Sequence, residues 1–148
     1  MKLVEDTLGV DVDTFLARPL FCFLSTGTEE GPRVSPLWYD WDGHHLWIVA
    51  DPVTKSYPER IERDPRTAVA VVDFDAERGL VQHVGMRGRA SVEPFDPERA
   101  TAVFSRYMGP RERWDDRFLG VFDTQERYRL VRFDPETVVA RDQSYAPT

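Results

Sequence analysis

Thr54, Lys55 and Ser56 stand just ahead of a short predicted helix, and Arg33 and Ser35 lie on the strand that precedes it in the chain. Hydroxyls and cations gathered near a helix start suit a phosphate, because the first turn offers unpaired N–H donors and the positive end of the peptide dipole. Of the 19 basic residues, Lys2 and Lys55 alone are lysines, so the chain otherwise uses arginine wherever a cation will do. An internal lysine at this place points to a compact, mobile ammonium. Arg60, inside the helix, is the alternative cation.

Other chemistries find little support. His44 and His45 are adjacent and point to opposite faces of a strand, and His83 is remote, so no metal site is expected. The single Cys22 sits in the apolar run Leu20-Phe21-Cys22-Phe23-Leu24 and reads as a small core residue. There is no Gly-x-Ser-x-Gly elbow and no nucleotide-type glycine loop. Asp40, Asp42, Asp73 and Asp75 read as solvated turn acids. Trp38, Trp41 and Trp47 read as fillers of a barrel or dimer seam, whereas Trp114, among charges, reads as a partner-chain or planar-ligand contact.

The elements that must position these groups are short and hairpin-linked. A helix is predicted from Asp11 to Ala17, ended by Pro19, and strands from Leu20 to Thr26 and from Pro32 to Trp41. Asp42-Gly43 is expected at the centre of a type I′ turn leading into His45 to Ala50. A helix near Pro58 to Asp64 is followed by a central strand from Thr67 to Phe74 and a long one from Leu80 to Glu93, whose Gly85 and Gly88 suggest a bulge or a close backbone approach. Asp96 caps a helix with Pro97 at its first position and a stripe of Ala100, Val103, Phe104, Tyr107 and Met108, ended by Gly109-Pro110. A helical piece from Arg113 to Leu119 leads to two last strands, Tyr128 to Phe133 and Thr137 to Arg141. This order predicts one α+β domain over residues 1–148, mainly antiparallel, in the form of a barrel with peripheral helices.

A net charge of −7 and a pI near 5.0 argue against nucleic acid or an anionic membrane as the main partner. No apolar run approaches a membrane span, and the first residues lack the apolar core of a signal peptide, so the reading is a cytoplasmic protein.

The ordered set Phe15-Leu16-Ala17-Arg18-Pro19, Gly31-x-Arg33-Val34-Ser35-Pro36, the Asp42-Gly43 hairpin, Arg60 to Arg66 before a valine-rich strand, and Gly88-Arg89-Ala90 resembles the pyridoxamine 5′-phosphate oxidase-like split-barrel family. The resemblance implies a split β-barrel, a homodimer, and a flavin at the subunit interface. FMN is the first expectation, with FAD, the deazaflavin coenzyme and haem as alternatives, and a small conjugated molecule as hydride donor or acceptor. It implies cofactor contacts from Arg33, Val34, Ser35 and Pro36, from Lys55 with Thr54 and Ser56, and from Gln82; Trp114 joins them on its own reading. The family's lysine position falls on Lys55 with a two-residue insertion and on Tyr57 without one, and Arg60 stands where the family has asparagine. The phosphate position is therefore shared among Lys55, Tyr57 and Arg60. A split-barrel binding protein without catalysis is the second reading.

Overall fold

A computed structural model describes residues 1–146. Its frame is one open sheet of eight strands: β1 (Lys2–Asp6), β2 (Cys22–Thr28), β3 (Gly31–Leu37), β4 (Asp40–Trp41), β5 (Leu46–Ala50), β6 (Arg66–Asp75), β7 (Leu80–Pro94) and β8 (Arg129–Asp142). The order is β3-β2-β6-β7-β8-β5-β4, and β1 pairs with β8. All pairs are antiparallel except β1 with β8. Strand β8 changes neighbours halfway: Arg129 to Phe133 pair with β5, and Thr137 to Ala140 with β1. The sheet therefore curls without closing, which is a split barrel.

Alternation decides which face is covered. In β2 and β6, Cys22, Leu24, Thr26, Thr67, Val69 and Val71 are buried, while Phe23, Val72 and Phe74 between them are exposed. The covered face joins Phe15 and Leu16 of α1 (Val12–Leu16) and Tyr57 and Ile61 of α2 (Tyr57–Arg63) in the main core. Each fully buried Leu, Ile or Phe there contributes about 1.5–3 kcal/mol. Cys22 is among them, its thiol pushed up to about 12 by burial, which fits an inert core residue.

A second core lies under α3 (Pro97–Met108), whose Ala100, Val103 and Phe104 pack with Trp114 and Val121. Asp96 caps this helix by accepting from the Glu98 N–H at 2.9 Å. Trp38 stacks on Tyr107 at 4.5 Å and on Phe118 of α4 (Asp116–Leu119) at 5.3 Å.

Four local expectations are corrected. The two C-terminal strands are one, because Pro135 falls at the register shift where the ladder needs no N–H from it. Strand β1 was unanticipated. Asp42 does not sit at the centre of a type I′ turn: only Gly43 has a positive φ, 96°, and Asp42 precedes the turn, its carboxylate accepting from the N–H groups of His44 and His45 at 2.8 and 2.6 Å. Asp40 and Asp73 are not solvated turn acids, since they pair with Arg106 and Arg18 respectively.

Burial alone would raise the Asp42 pKa, but donors from Trp47, His45 and His44 outweigh it and hold the carboxyl well below the ordinary 3.8. A folded pKa below the unfolded one stabilises the fold above about pH 3.8, and that contribution is lost as pH falls through the folded value. Asp42→Asn is expected to cost about 1 kcal/mol at pH 7, and progressively less only as pH falls below about 3.8. Paired urea melts across pH check this; a constant difference across pH would contradict it.

Candidate cofactor site

Helix α2 is seated by Tyr57, Pro58 and Ile61, which are buried, and this turns Arg60 toward the edge of β2. The Arg60 guanidinium donates from Nε to Thr26 Oγ1 at 2.8 Å and from Nη1 to Ser56 Oγ at 2.6 Å. The β2–β3 ladder puts Arg33 directly opposite Thr26. Arg33, Ser56 and Arg60 thus line one cavity of about 620 Å³ with the turn from Gly27 to Glu30. Arg63 on its rim is neutralised by Glu59 at 2.7 Å, but neither Arg33 nor Arg60 has a carboxylate partner among the described residues. Two arginines outside any ion pair beside a hydroxyl have the donors to hold an anion, in a cavity that Glu29, Glu30 and Asp64 also line.

From this corner a trough runs over the open face of the sheet. A neighbouring cavity of about 630 Å³ shares Gly27 with the corner, and shares Ser25, Ala68, Arg87 and Thr137 with a third cavity of about 670 Å³. The ladder sets Val34, Ser25, Ala68, Arg87 and Thr137 in one row across the strands, and Pro36, Phe23, Ala70, Gly85 and Val139 in the next. Small side chains at Ser25, Ala68, Ala70 and Gly85 leave a shallow floor, while Phe23, Val34 and Val139 make it apolar. From Gly27 to Phe23 the trough covers four residues of strand, ~13 Å.

The remaining sequence-derived candidates are placed as follows. Ser56, Arg60 and Arg33 come together in the corner, and Val34 lies at the apolar end of the trough. Ser35 pairs with Leu24 on the inward-facing register, and Pro36 with Phe23 on the outward one. Thr54 and Lys55 lie outside the corner, in a loop organised by Asp51: the Thr54 hydroxyl donates to its carboxylate at 3.0 Å and the Lys55 N–H to its carbonyl at 2.9 Å. That carboxylate is also held by Arg127 at 2.6 Å, which keeps its pKa below the ordinary value. Tyr57 is buried, and burial raises its pKa, so it serves the core. Gln82 donates to Asp142 at 3.1 Å, toward the far end of β7. Trp114 is buried in the second core with its indole N–H on the Gly109 carbonyl at 2.9 Å, remote in role from the corner.

Sequence reasoning missed Thr26, Arg87 and Arg89. The signal for the arginines was their period-2 spacing on a strand whose neighbouring positions are Gly85 and Gly88.

An open split barrel with an anion-binding corner defines a ligand-binding class of fold. A family model described as pyridoxamine 5′-phosphate oxidase matches residues 10–141, so the chain belongs to that family. No curated protein matches the chain significantly. Among solved structures, the conserved hypothetical protein Rv2991 from Mycobacterium tuberculosis superposes with a TM-score of 0.73 at 22% identity, over 93% of this chain and 89% of that one. An F420 reductase superposes with a TM-score of 0.65 at 24% identity, over 85% and 94%. A FAD-binding protein from Mesorhizobium loti gives 0.67 at 20% identity, over 88% and 91%. These likenesses share the fold.

Proposed function

We propose that the chain is a flavin- or deazaflavin-dependent oxidoreductase that binds its cofactor along this trough at a homodimer interface. The observation that carries the reading is the junction of a corner whose Arg33 and Arg60 make no ion pair among the described residues with a flat, small-residue floor. The donor set fits the group: Arg33, Arg60 and Ser56 suit a phosphate, and Ser25, Ala68, Ala70 and Gly85 let a planar ring approach the sheet. An added Cβ at Gly85 would meet no atom within 4 Å, so the floor there is open. When bound, the cofactor supplies hydride transfer to or from a small conjugated substrate. The chain's own residues anchor the phosphate, orient the ring and exclude water from one ring face. Names among the structural relatives, an F420 reductase and a FAD-binding protein, support the same choice of ligand class.

The homodimer is supported by exposed Phe23, Val34, Val72 and Phe74 on the same open face, an apolar surface that a second subunit would cover. Light scattering is expected to give twice the 17.1 kDa chain mass, and Phe74→Asp is expected to shift it toward the monomer. A concentration-independent monomer for the unmodified chain would overturn the interfacial site.

The second reading is a split-barrel binding protein without catalysis. Buried Tyr57 and the commitment of Thr54 to Asp51 favour it, because two positions that the family resemblance assigns to phosphate are spent on structure. Titration with FMN, FAD, the deazaflavin coenzyme and haem separates the readings. The first expects a flavin or deazaflavin to bind and to be reduced by an added hydride donor. A Soret band alone, or binding without redox turnover over a broad set of donors, supports the second. Absence of binding to all four refutes the cofactor site.

A further inference from the structure

Between the Arg60 corner and the apolar floor, the trough carries a second group of cations. Arg66, Arg87 and Arg89 line its middle cavity, with Arg66 directly opposite Arg89 and Ala68 opposite Arg87 on the β6–β7 ladder. Like charges facing each other across a ladder are destabilising unless something compensates them. Asp64 compensates Arg66 through a bidentate pair, 2.9 Å to Nε and 2.7 Å to Nη2. Arg87 and Arg89 make no ion pair among the described residues. The carboxylates near them are Glu136, which lines the same cavity without pairing, and Asp64, which lies within Coulombic reach of Arg89.

Two residues apart on a regular stretch of β7, these arginines share one face of the sheet. The bulge is in the facing strand, where Glu136 is the extra residue of β8 between Pro135 and Thr137, and at Gly88 the Asp134 carbonyl comes so close that an added Cβ would lie 2.0 Å from its oxygen. Two guanidinium groups on one face of β7, neither held in an ion pair, line a cavity that can take an anion. It is also distinct from the corner. Thr26, which anchors Arg60, is two ladder steps from Gly88 through Thr67, a backbone separation of ~10 Å.

We propose that Arg87 and Arg89 form a second anion subsite of the trough, so that its ligand carries a phosphate or carboxylate in addition to the phosphate held at Arg60. This rests on the cofactor reading above and sharpens it: the ligand class is a flavin or deazaflavin with a second anionic group, such as a diphosphate or a carboxylated extension. FMN, with one phosphate, would leave the subsite to solvent.

Two measurements test this. Inorganic diphosphate is titrated into the unmodified protein while the arginine Nε–H resonances are followed by NMR. Arg87 and Arg89 are expected to shift saturably at millimolar concentrations, and to do so still in Arg60→Ala. Shifts that rise without saturation, or that vanish with Arg60→Ala, overturn the subsite. In parallel, Arg87→Gln/Arg89→Gln is titrated with FMN, FAD and the deazaflavin coenzyme, its fold checked by circular dichroism. Affinity for at least one ligand with two anionic groups should fall about ten-fold or more, and for FMN less than about two-fold. An equal loss for all three would assign these arginines to the first phosphate and refute the proposal, as would no loss for any. If no flavin binds the unmodified protein while diphosphate saturates Arg87 and Arg89, the cofactor reading fails and the anion subsite stands.

Discussion

Gly88→Ala is expected to destabilise the fold by about 3 kcal/mol, at the upper end of what overpacking costs. For a chain of this size that lowers the thermal midpoint by roughly 10 °C. The new Cβ would lie 2.0 Å from the Asp134 carbonyl oxygen and 3.0 Å from Pro135 Cα, and both are backbone atoms that no rotamer change can move. Strands β7 and β8 pair over their whole length around this point, so relief at Gly88 means shifting the two strands that span the barrel. Gly85→Ala is the internal control, since it meets nothing within 4 Å and should cost well under 1 kcal/mol. Thermal melts of the two variants side by side decide the point. Equal midpoints would mean that the bulge relaxes freely and that the close approach does not constrain the sheet.

Gly88 also shows which parts of the fold were readable from sequence. A glycine inside a strand pattern suggested a bulge or a close backbone approach; the close approach is at Gly88 itself, and the bulge lies opposite it at Glu136 of β8. Helix α3 was readable as well, where Asp96 and Pro97 announce the start and an apolar stripe at helical spacing announces the buried face. Strand β1 was hidden because Lys2 to Asp6 is exposed throughout, so no alternation marks it; β8 alone recruits it. Pro135 read as a break between two strands, since only the partner strand reveals that its missing N–H falls at the bulge. In the site, Lys55 stood out through its rarity, but rarity carries no information on direction. The hydrogen bond that fixes Arg60 crosses to Thr26, 34 residues earlier, and the burial of Trp114 depends on α3 and Phe122 closing around it. Those are tertiary facts, invisible to local spacing.

The phosphate anchor can be settled by comparing two substitutions on two ligands. Arg60→Ala is expected to weaken FMN about 10- to 100-fold, the value of a charge-assisted bond of about 1.5–3 kcal/mol. Riboflavin, which shares the ring and lacks the phosphate, should change less than about two-fold. Loss of the Arg60 bonds leaves the Ser56 hydroxyl to water and the buried Thr26 hydroxyl without its donor, so the fold should lose about 1–2 kcal/mol. Lys55→Ala should leave FMN affinity within about three-fold, because Lys55 stands outside the cavity that holds Arg33 and Arg60, its backbone N–H bonded to the Asp51 carbonyl. Added salt should weaken FMN more than riboflavin in the unmodified protein, since a partly exposed ion pair is screened and ring packing is not. That salt difference should largely vanish in Arg60→Ala. If Lys55→Ala instead abolishes the preference for FMN while Arg60→Ala preserves it, the loop before α2 reaches the phosphate and the corner does not. If both variants keep the full preference, the phosphate is anchored elsewhere, and Arg33 alone in the corner would remain to be tested by the same pair of ligands.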